Sequence, residues 1–327
     1  MTIRTPICDM LGIKYPIMLA GMGGVSYGEL AAAVSEAGGF GTLGMAGRSL
    51  DQIKHEMKVV RDNTDKPFGV DLLAAVPESL ERTADLIIEG GAKAFISGLG
   101  VPPPHLTKKF HDAGLKVMNV NGAVKHAVAA ERGGLDAVVA QGTEAGGHTG
   151  RIAGMALIPQ IVDAVKIPVI AAGSIVDGRG LAAALALGAQ GVWMGTRFIA
   201  STEAHAGALY KQVILDASDE DTIITRSYSG KPMRVFKNEW VADWESRPQD
   251  IKPFPQQSML SAQAGVMGGI GGQIEGLSRE RSAFAMGQGA GAIHDVKPSK
   301  QIIEEIMAEA EDVIARMAAL TRKAVKA

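Results

Sequence analysis

The chain has 327 residues, which is enough for one large domain and a smaller one with a sizeable core. Its 33 basic and 35 acidic residues nearly balance, so no charge pattern indicates nucleic acid or an anionic membrane surface as a partner. The single cysteine, Cys8, excludes an intrachain disulfide and a cysteine metal cage. No apolar signal segment or membrane-length apolar run is present, so we expect a soluble cytoplasmic protein that binds a small molecule.

Strand-like and helix-like segments alternate over about the first 217 residues. Short apolar runs that end near glycine predict strands over 15–21, 40–45, 68–73, 93–96, 116–120, 135–140, 168–172 and 191–194. Helical composition and spacing predict helices over 28–37, 50–63, 80–89, 104–113, 124–132, 156–165, 179–187 and 203–215. Strands separated by helices pair in parallel, and eight such units favour an α/β fold of the (β/α)8 TIM-barrel type.

Two common nucleotide-binding motifs do not fit this chain. The first glycine-rich turn, Gly21-Met-Gly-Gly-Val-Ser, lacks the spacing of the dinucleotide-binding fingerprint of an open doubly wound sheet. The glycine-rich phosphate loop that ends in Gly-Lys-Ser/Thr is also absent. The missing fingerprint argues against an open doubly wound sheet.

The composition changes after Ala217, where acidic, proline-rich and glycine-rich stretches follow one another. We predict a barrel domain over 1–217 that is completed by an amphipathic C-terminal helix over 299–327. Residues 218–298 are predicted to form a smaller, mostly helical C-terminal lobe on the substrate side, folded over the barrel mouth.

The stretch Gln141-Gly-Thr-Glu-Ala-Gly-Gly-His148-Thr-Gly150 follows the sixth predicted strand. In a parallel barrel the carboxyl ends of the strands carry the active site. Glycines there let the backbone approach a flat or phosphorylated ligand, and His148 can exchange a proton near neutral pH. The alternative interpretation is a flexible turn with a solvated or hydrogen-bonded histidine.

Two further glycine-containing turns follow the seventh and eighth predicted strands. They are Ala171-Ala-Gly173-Ser-Ile and Trp193-Met-Gly195-Thr-Arg-Phe. In (β/α)8 enzymes these two loops often bind a phosphate through backbone N–H groups with the help of a helix N-terminus. Arg197 could reach the same phosphate, and a salt bridge within the barrel is the alternative.

These motifs together resemble the FMN-dependent nitronate monooxygenase family, formerly called 2-nitropropane dioxygenases. Ala20-Gly-Met22-Gly, Lys66-Pro-Phe-Gly-Val and Arg226-Ser-Tyr-Ser-Gly-Lys-Pro extend the similarity over the whole chain. The chain is similar also to the related FMN-dependent enoyl-acyl-carrier-protein reductases. The resemblance implies a barrel that holds FMN noncovalently and a smaller domain that closes the substrate side.

The resemblance also implies roles for individual residues, with His148 as the catalytic histidine. The implied FMN-binding residues are Gly21, Met22, Asp71, Gln141, Gly146, Gly147, Gly173, Ser174, Trp193, Met194, Gly195 and Thr196. Of these, Gly173 and 193–196 would hold the phosphate. Ser174, Ser227, Tyr228 and Lys231 would lie on the substrate side.

Asp71 departs from the family, which usually has asparagine at this position. A carboxylate there would put a negative charge near the flavin ring and disfavour the anionic reduced flavin, unless it is protonated or paired. The alternative is that Asp71 accepts a hydrogen bond from the ring N3–H and changes little.

The predicted function is FMN-dependent oxidation of alkyl nitronates with O2, with His148 as the proton-transfer group. Gln141 resembles the monooxygenases, whereas Met286-Gly-Gln-Gly-Ala-Gly resembles the reductases. The alternative is therefore a flavin enoyl-acyl-carrier-protein or enoyl-CoA reductase with NAD(P)H as reductant. A barrel that binds FMN or a phosphorylated ligand without turnover is the second alternative.

No metal site is predicted, because the other histidines show no ligand spacing. They are His55, His105, His111, His126, His205 and His294. The expected partner is a small-molecule substrate, a nitronate or an enoyl thioester, and a homodimer is left open.

Overall fold

The structure is a computed structural model that describes residues 3–74 and 77–324. The strands in this part of the chain are β1 (Ile17–Leu19), β2 (Gly41–Gly44), β3 (Phe68–Leu73), β4 (Ala94–Gly98), β5 (Lys116–Asn121), β6 (Ala137–Gln141), β7 (Gly147–His148), β8 (Val169–Ala172), β9 (Gly191–Met194), β10 (Thr222–Thr225) and β11 (Met233–Phe236). Eight of them form one parallel sheet in the order β1-β9-β8-β6-β5-β4-β3-β2. The other three, in the order β10-β11-β7, form a small antiparallel sheet.

The helices surround the parallel sheet and continue into the C-terminal lobe. They are α1 (Pro6–Leu11), α2 (Gly28–Glu36), α3 (Leu50–Asn63), α4 (Pro77–Glu89), α5 (Pro104–Asp112), α6 (Val124–Arg132), α7 (Gly154–Ala164), α8 (Gly178–Ala186), α9 (Thr196–Ile199), α10 (Ala208–Asp216), α11 (Glu239–Glu245), α12 (Gln256–Gln263) and α13 (Ser299–Ala324). Short 3-10 turns cover Pro248–Asp250, Gly268–Gly271 and Gln288–Ala292. None of the helices within 3–74 and 77–324 is long and apolar enough to cross a membrane.

The parallel sheet closes on itself between its first and second strands. The Phe40 N–H donates to the Ile17 carbonyl at 2.9 Å, and the Leu19 N–H donates to the Phe40 carbonyl at 2.9 Å. These two bonds join the ends of the strand order and leave no open edge. The predicted (β/α)8 barrel is therefore confirmed.

Two apolar layers hold the barrel together. Inward-facing side chains such as Met18, Phe40 and Ile96 form one buried cluster with the side chains of α1, which fills the N-terminal end of the barrel. Outward-facing side chains of the same strands, such as Leu43 and Phe95, pack under the surrounding helices. The alternation follows the two-residue period of a strand.

The strands and most helices match the sequence pattern, and the spans of α3, β3 and α6 coincide with the prediction. The eighth helix does not: the predicted span 203–215 begins only at Ala208. Ser201 pairs with Lys297, and the Glu203 carboxylate accepts from the Ser299 N–H at 3.0 Å. Residues 201–203 are thus used to anchor the start of α13. The pattern also missed α1.

The lobe after Ala217 contains, besides helices, the strands β10 and β11, which the sequence pattern did not predict. Its own core is built from Tyr228, Met233, Val235, Val241, Val266 and Ala283. α13 leaves the lobe and packs on the barrel helices α8 and α2. The division into a barrel domain and a lobe stays a prediction.

Replacement of Gly41 by alanine should destabilise the barrel. A Cβ on Gly41 would lie 1.9 Å from the Ala31 carbonyl oxygen, so α2 would have to move away from β2. Overpacking of this kind costs about 1–3 kcal/mol or more in free energy of unfolding, measurable by denaturant titration. Gly23→Ala is the control, because the nearest atom to its Cβ is 3.9 Å away. Equal stability of both variants would contradict the predicted contact.

Candidate active site

The loop after β6 is held in one conformation by its own polar groups. The Gln141 amide donates to the His148 carbonyl at 2.7 Å, and the Thr143 hydroxyl donates to the Gly150 carbonyl at 3.0 Å. The Glu144 carboxylate accepts from the Gly154 N–H at 2.9 Å and so caps α7. These bonds tie the stretch to its own backbone and to α7, and the choice between its two interpretations stays a prediction.

His148 is fixed by pairing with the lobe. It forms β7, which pairs antiparallel with β11 so that His148 lies opposite Met233. Arg234, the next residue of β11, is buried and donates twice to the Thr143 carbonyl, at 3.0 and 3.1 Å. The lobe thus holds both ends of the glycine-rich loop.

The imidazole of His148 is half-buried and contacts Ser229. The distance from His148 Nε2 to Ser229 Oγ is 2.9 Å. Burial, together with the positive charge of Lys231, lowers the pKa of His148 to about 4. The imidazole is therefore neutral at neutral pH. A neutral imidazole has a free lone pair and can accept a proton from a carbon acid.

The inner wall of the barrel mouth carries two polar side chains, from β3 and β6. A Cβ on Gly69 would touch Phe40 and Ile96 of the interior cluster, so Asp71, two residues further along β3, also faces inward. The same period places Gln141 two residues after Val139, another member of that cluster.

Small residues surround these two side chains. A Cβ on Gly21 would lie 2.3 Å from Asp71 Oδ2, and a Cβ on Gly44 would lie 2.4 Å from the Met22 backbone. The Met22 sulfur lies 3.3 Å from the Cβ position of Gly195. The structure thus brings Gly21, Met22, Asp71 and Gly195 together at one end of the barrel.

The loops after β8 and β9 present free backbone donors. Among the described residues, the N–H groups of Gly173, Ser174, Gly195 and Thr196 make no hydrogen bond to a protein acceptor. Gly173 and Ser174 both have positive φ, at 112° and 54°. The expected contribution of a helix N-terminus is not found at α8, because Asp177 and Glu309 accept from its first N–H groups.

A segment of the lobe lies against both loops. The Gly287 N–H donates to Thr196 Oγ1 at 3.0 Å, and the Gly289 N–H donates to Ser174 Oγ at 2.9 Å. A Cβ on Gly146 would lie 2.6 Å from the Met286 backbone. In the sequence this segment indicated only a resemblance to the reductases, and nothing placed it at the two loops.

Three side chains that were expected at or near the phosphate point away from it. Trp193 belongs to the interior cluster of the barrel, and Met194 packs in the outer one. Arg197 is buried and forms a salt bridge with Asp295 at 3.0 Å, although this partner belongs to the predicted lobe and not to the barrel. The free donors at this loop are therefore the backbone N–H groups of Gly195 and Thr196.

On the expected substrate side, Ser227 and Tyr228 are fully buried in the lobe. The Tyr228 hydroxyl donates to the Arg281 carbonyl at 3.0 Å, deep in the lobe core. Lys231 does lie near His148, and its Nζ is 4.7 Å from the Phe254 ring centroid. Sequence reasoning missed Ser229, because its partner is 81 residues away along the chain.

The fold and the site together define a (β/α)8 enzyme whose active site lies at the carboxyl ends of the parallel strands. The family model of nitronate monooxygenases matches residues 4–309. The chain therefore belongs to the nitronate monooxygenase family and is a flavin-dependent oxidoreductase, which confirms the resemblance seen in the sequence.

Three similar proteins illustrate the range of the family. A probable nitronate monooxygenase of Staphylococcus saprophyticus is 35% identical over 80% of this chain and 86% of its own. A (3aS,4S,5R,7aS)-5-hydroxy-7a-methyl-1-oxo-octahydro-1H-indene-4-carboxyl-CoA dehydrogenase of Mycobacterium tuberculosis is 34% identical over 95% of this chain and 97% of its own. The solved structure of FabK from Thermotoga maritima is 37% identical, covers 98% of this chain and 100% of its own, and superimposes with a TM-score of 0.89.

The mouth of the barrel fits a phosphorylated flavin by the chemistry of its donors. Backbone N–H groups without protein acceptors suit a phosphate, and glycines without Cβ atoms leave room for a flat ring. The inward-facing Asp71 and Gln141 can form hydrogen bonds with the polar edge of such a ring.

The titration of His148 should distinguish this environment from that of a solvated histidine. We expect NMR to give a pKa of about 4 for its imidazole. Lys231→Gln should raise this pKa, because it removes a positive charge that opposes protonation. Lys237→Gln, at an exposed lysine of the same lobe, is the control. A wild-type pKa near the ordinary value of about 6.5 would refute the description.

Proposed function

We propose that the protein oxidises alkyl nitronates with O2 and uses FMN as its flavin, and that His148 is the proton-transfer group that forms the nitronate from the neutral nitroalkane. The observation that carries the proposal is the neutral imidazole of His148, held beside Lys231 at the mouth of a family barrel. The name of the Staphylococcus saprophyticus relative supports the substrate class. FMN, when bound, supplies the two-electron oxidation of the substrate and the reaction with O2.

His148 acts on the neutral nitroalkane, whose carbon next to the nitro group is acidic. The C–H bond breaks, its proton moves to the imidazole, and the electron pair stays on the substrate as the nitronate. The lowered pKa keeps the imidazole neutral, so its lone pair is available for this proton, and the same shift makes His148 a weaker base than a solvated histidine. The protonated imidazole then releases the proton to solvent before the next turnover.

Ser229 selects which ring nitrogen accepts the proton. Its hydroxyl lies 3.1 Å from the Lys231 carbonyl, to which it donates, and it accepts from the Lys231 N–H at 3.2 Å. A serine hydroxyl has one donor, so its remaining lone pair accepts from Nε2–H of His148. Nδ1 is then the basic nitrogen, and Ser229 is a positioning residue.

Lys231 supplies the positive charge that a nitronate requires. Its positive charge helps to lower the pKa of His148, and the same charge would attract an anion bound beside the imidazole. Lys231 therefore favours the anionic product of proton transfer over the neutral nitroalkane. This is a stabilisation that increases as the reaction proceeds, which lowers the barrier.

FMN would be held by residues from both the barrel and its loops. The N–H groups of Gly173, Ser174, Gly195 and Thr196 would bind its phosphate. Gly21, Met22, Asp71, Gln141, Gly146 and Gly147 would surround the ring and ribityl chain. The buried side chains of Trp193 and Met194 would support this site from below without contacting the phosphate.

A second candidate is the NAD(P)H-dependent reduction of an enoyl thioester. It is favoured by a cavity of about 450 Å³ whose lining includes Thr143 and Gly150 of the His148 loop, with Arg151 and Arg226 beside them. Two arginines suit an anionic thioester carrier, and the Mycobacterium tuberculosis relative is named for a CoA thioester.

Anaerobic reduction of the purified flavoprotein separates the two candidates. We expect propyl-2-nitronate to bleach the flavin absorbance and O2 to restore it, with no bleaching by NADH or NADPH. Rapid bleaching by a nicotinamide and none by the nitronate would refute the first candidate and support the second. Release and chromatography of the flavin would show whether it is FMN.

His148→Ala should slow the oxidation of neutral nitroalkane about 10²–10⁴-fold, because a positioned base contributes about that much. Oxidation of the preformed nitronate should fall far less, since it needs no proton removed. In the wild type the nitroalkane rate should fall as pH drops through about 4, where His148 becomes protonated. An equal loss with both substrates would contradict the assignment as a base.

Lys231→Met should raise the KM for the nitronate about tenfold or more and change that for the nitroalkane little. One lost charge contact is worth about 1.4 kcal/mol or more at a partly buried site. Lys237→Met serves as the control at an exposed lysine. If the two substrates respond equally to Lys231→Met, Lys231 does not select the anion.

A further inference from the structure

Asp71 is an inward-facing acid at the barrel mouth that none of the steps above uses. Its neighbours in register are Gly44 of β2 and Ile96 of β4, and the backbone of Gly21 lies over it. None of these three residues can ionise. A Cβ on Gly98 would lie 3.8 Å from Asp71 Oδ1. Gly98, at the end of the neighbouring strand β4, is therefore another small residue beside the carboxyl group.

The carboxyl group has no partner that could stabilise a charge. Within the described residues Asp71 makes no side-chain hydrogen bond and no ion pair. Asp136, a partly buried acid like Asp71, is paired instead: it accepts from the Val117 N–H and from Lys116. Burial alone, with no opposing charge, raises the pKa of Asp71 well above its ordinary value.

We propose that Asp71 enters the flavin site as an uncharged carboxylic acid and donates its O–H in a hydrogen bond to the flavin bound across Gly21. The inference rests on the flavin site of the proposed function and holds for either substrate candidate. A protonated carboxyl has one O–H donor, which a carboxylate lacks. The protonated Asp71 therefore has an O–H group to donate and brings no negative charge to the site.

Uncharged Asp71 also allows negative charge to form in the site. An ionised carboxylate would oppose both an anionic substrate and a cofactor that gains electrons, because like charges repel strongly where water is excluded. A neutral acid instead places the positive end of its O–H dipole toward that charge. Asp71 and Lys231 then act in the same direction, from the barrel and from the lobe.

Infrared difference spectroscopy of the holoenzyme, oxidised minus reduced, tests the protonation state directly. We expect the carbonyl stretch of a protonated carboxylic acid at pH 7, shifted in D2O and absent in Asp71→Asn. The absence of this band from the wild type, or its persistence in Asp71→Asn, would overturn the proposal. The wild-type spectrum alone shows whether a protonated carboxylic acid is present, even if the variant does not fold.

The reduction potential of the flavin provides a second measurement. Asp71→Asn keeps an uncharged donor, so we expect a potential close to that of the wild type. A clear rise would mean that the variant has removed a negative charge, and that the wild-type acid is ionised. Asp51→Asn, at an exposed aspartate in the first turn of α3, is the control.

Asp71→Leu tests the hydrogen bond itself, since leucine is uncharged and cannot donate. The carbonyl vibrations of the flavin should shift in Asp71→Leu and stay near the wild-type positions in Asp71→Asn. Unchanged vibrations in Asp71→Leu would overturn the hydrogen bond. A protein that binds no flavin would instead refute the proposed function, and its absorbance spectrum would show that before any variant is made.

Discussion

The candidate site depends on the pairing of β7, a strand of only two residues, with β11 of the lobe. This pairing half-buries His148 and places it between the barrel loop and the Ser229–Lys231 segment. Without it the imidazole would be solvated and would keep an ordinary pKa. The chemistry of the histidine is thus a consequence of a contact between distant parts of the chain.

The barrel was predictable because its signals are local. Each strand is a short apolar run that ends near glycine, and each helix carries its own periodicity, as the coincident spans of α3 and β3 illustrate. β7 has no such signal, since two residues cannot show a period and glycine disfavours strands. β10 and β11 are four residues each and owe their pairing to one another and to β7.

The site was predictable in part, and the errors have one cause. Sequence motifs place residues beside a ligand by their position in the chain, whereas the side-chain direction depends on the strand period. Trp193 and Met194 lie within β9 and point into the two cores, so only the backbone of Gly195 and Thr196 remains for a ligand. Arg197 follows the same loop, yet Asp295 of the C-terminal region binds it. Its partner is 98 residues away and gives no local signal.

His148 and Asp71 illustrate how one desolvated site gives a base and an acid. Burial lowers the pKa of the imidazole and raises the pKa of the carboxyl, since in both cases the charged form loses its hydration. With Asp71 protonated as proposed, both groups are neutral at the same pH, one with a free lone pair and the other with a proton to donate. Lys231, which lies on the lobe side of the mouth, supplies the positive charge of the site. The site as a whole therefore favours the transient formation of an anion, a requirement that both candidate reactions share.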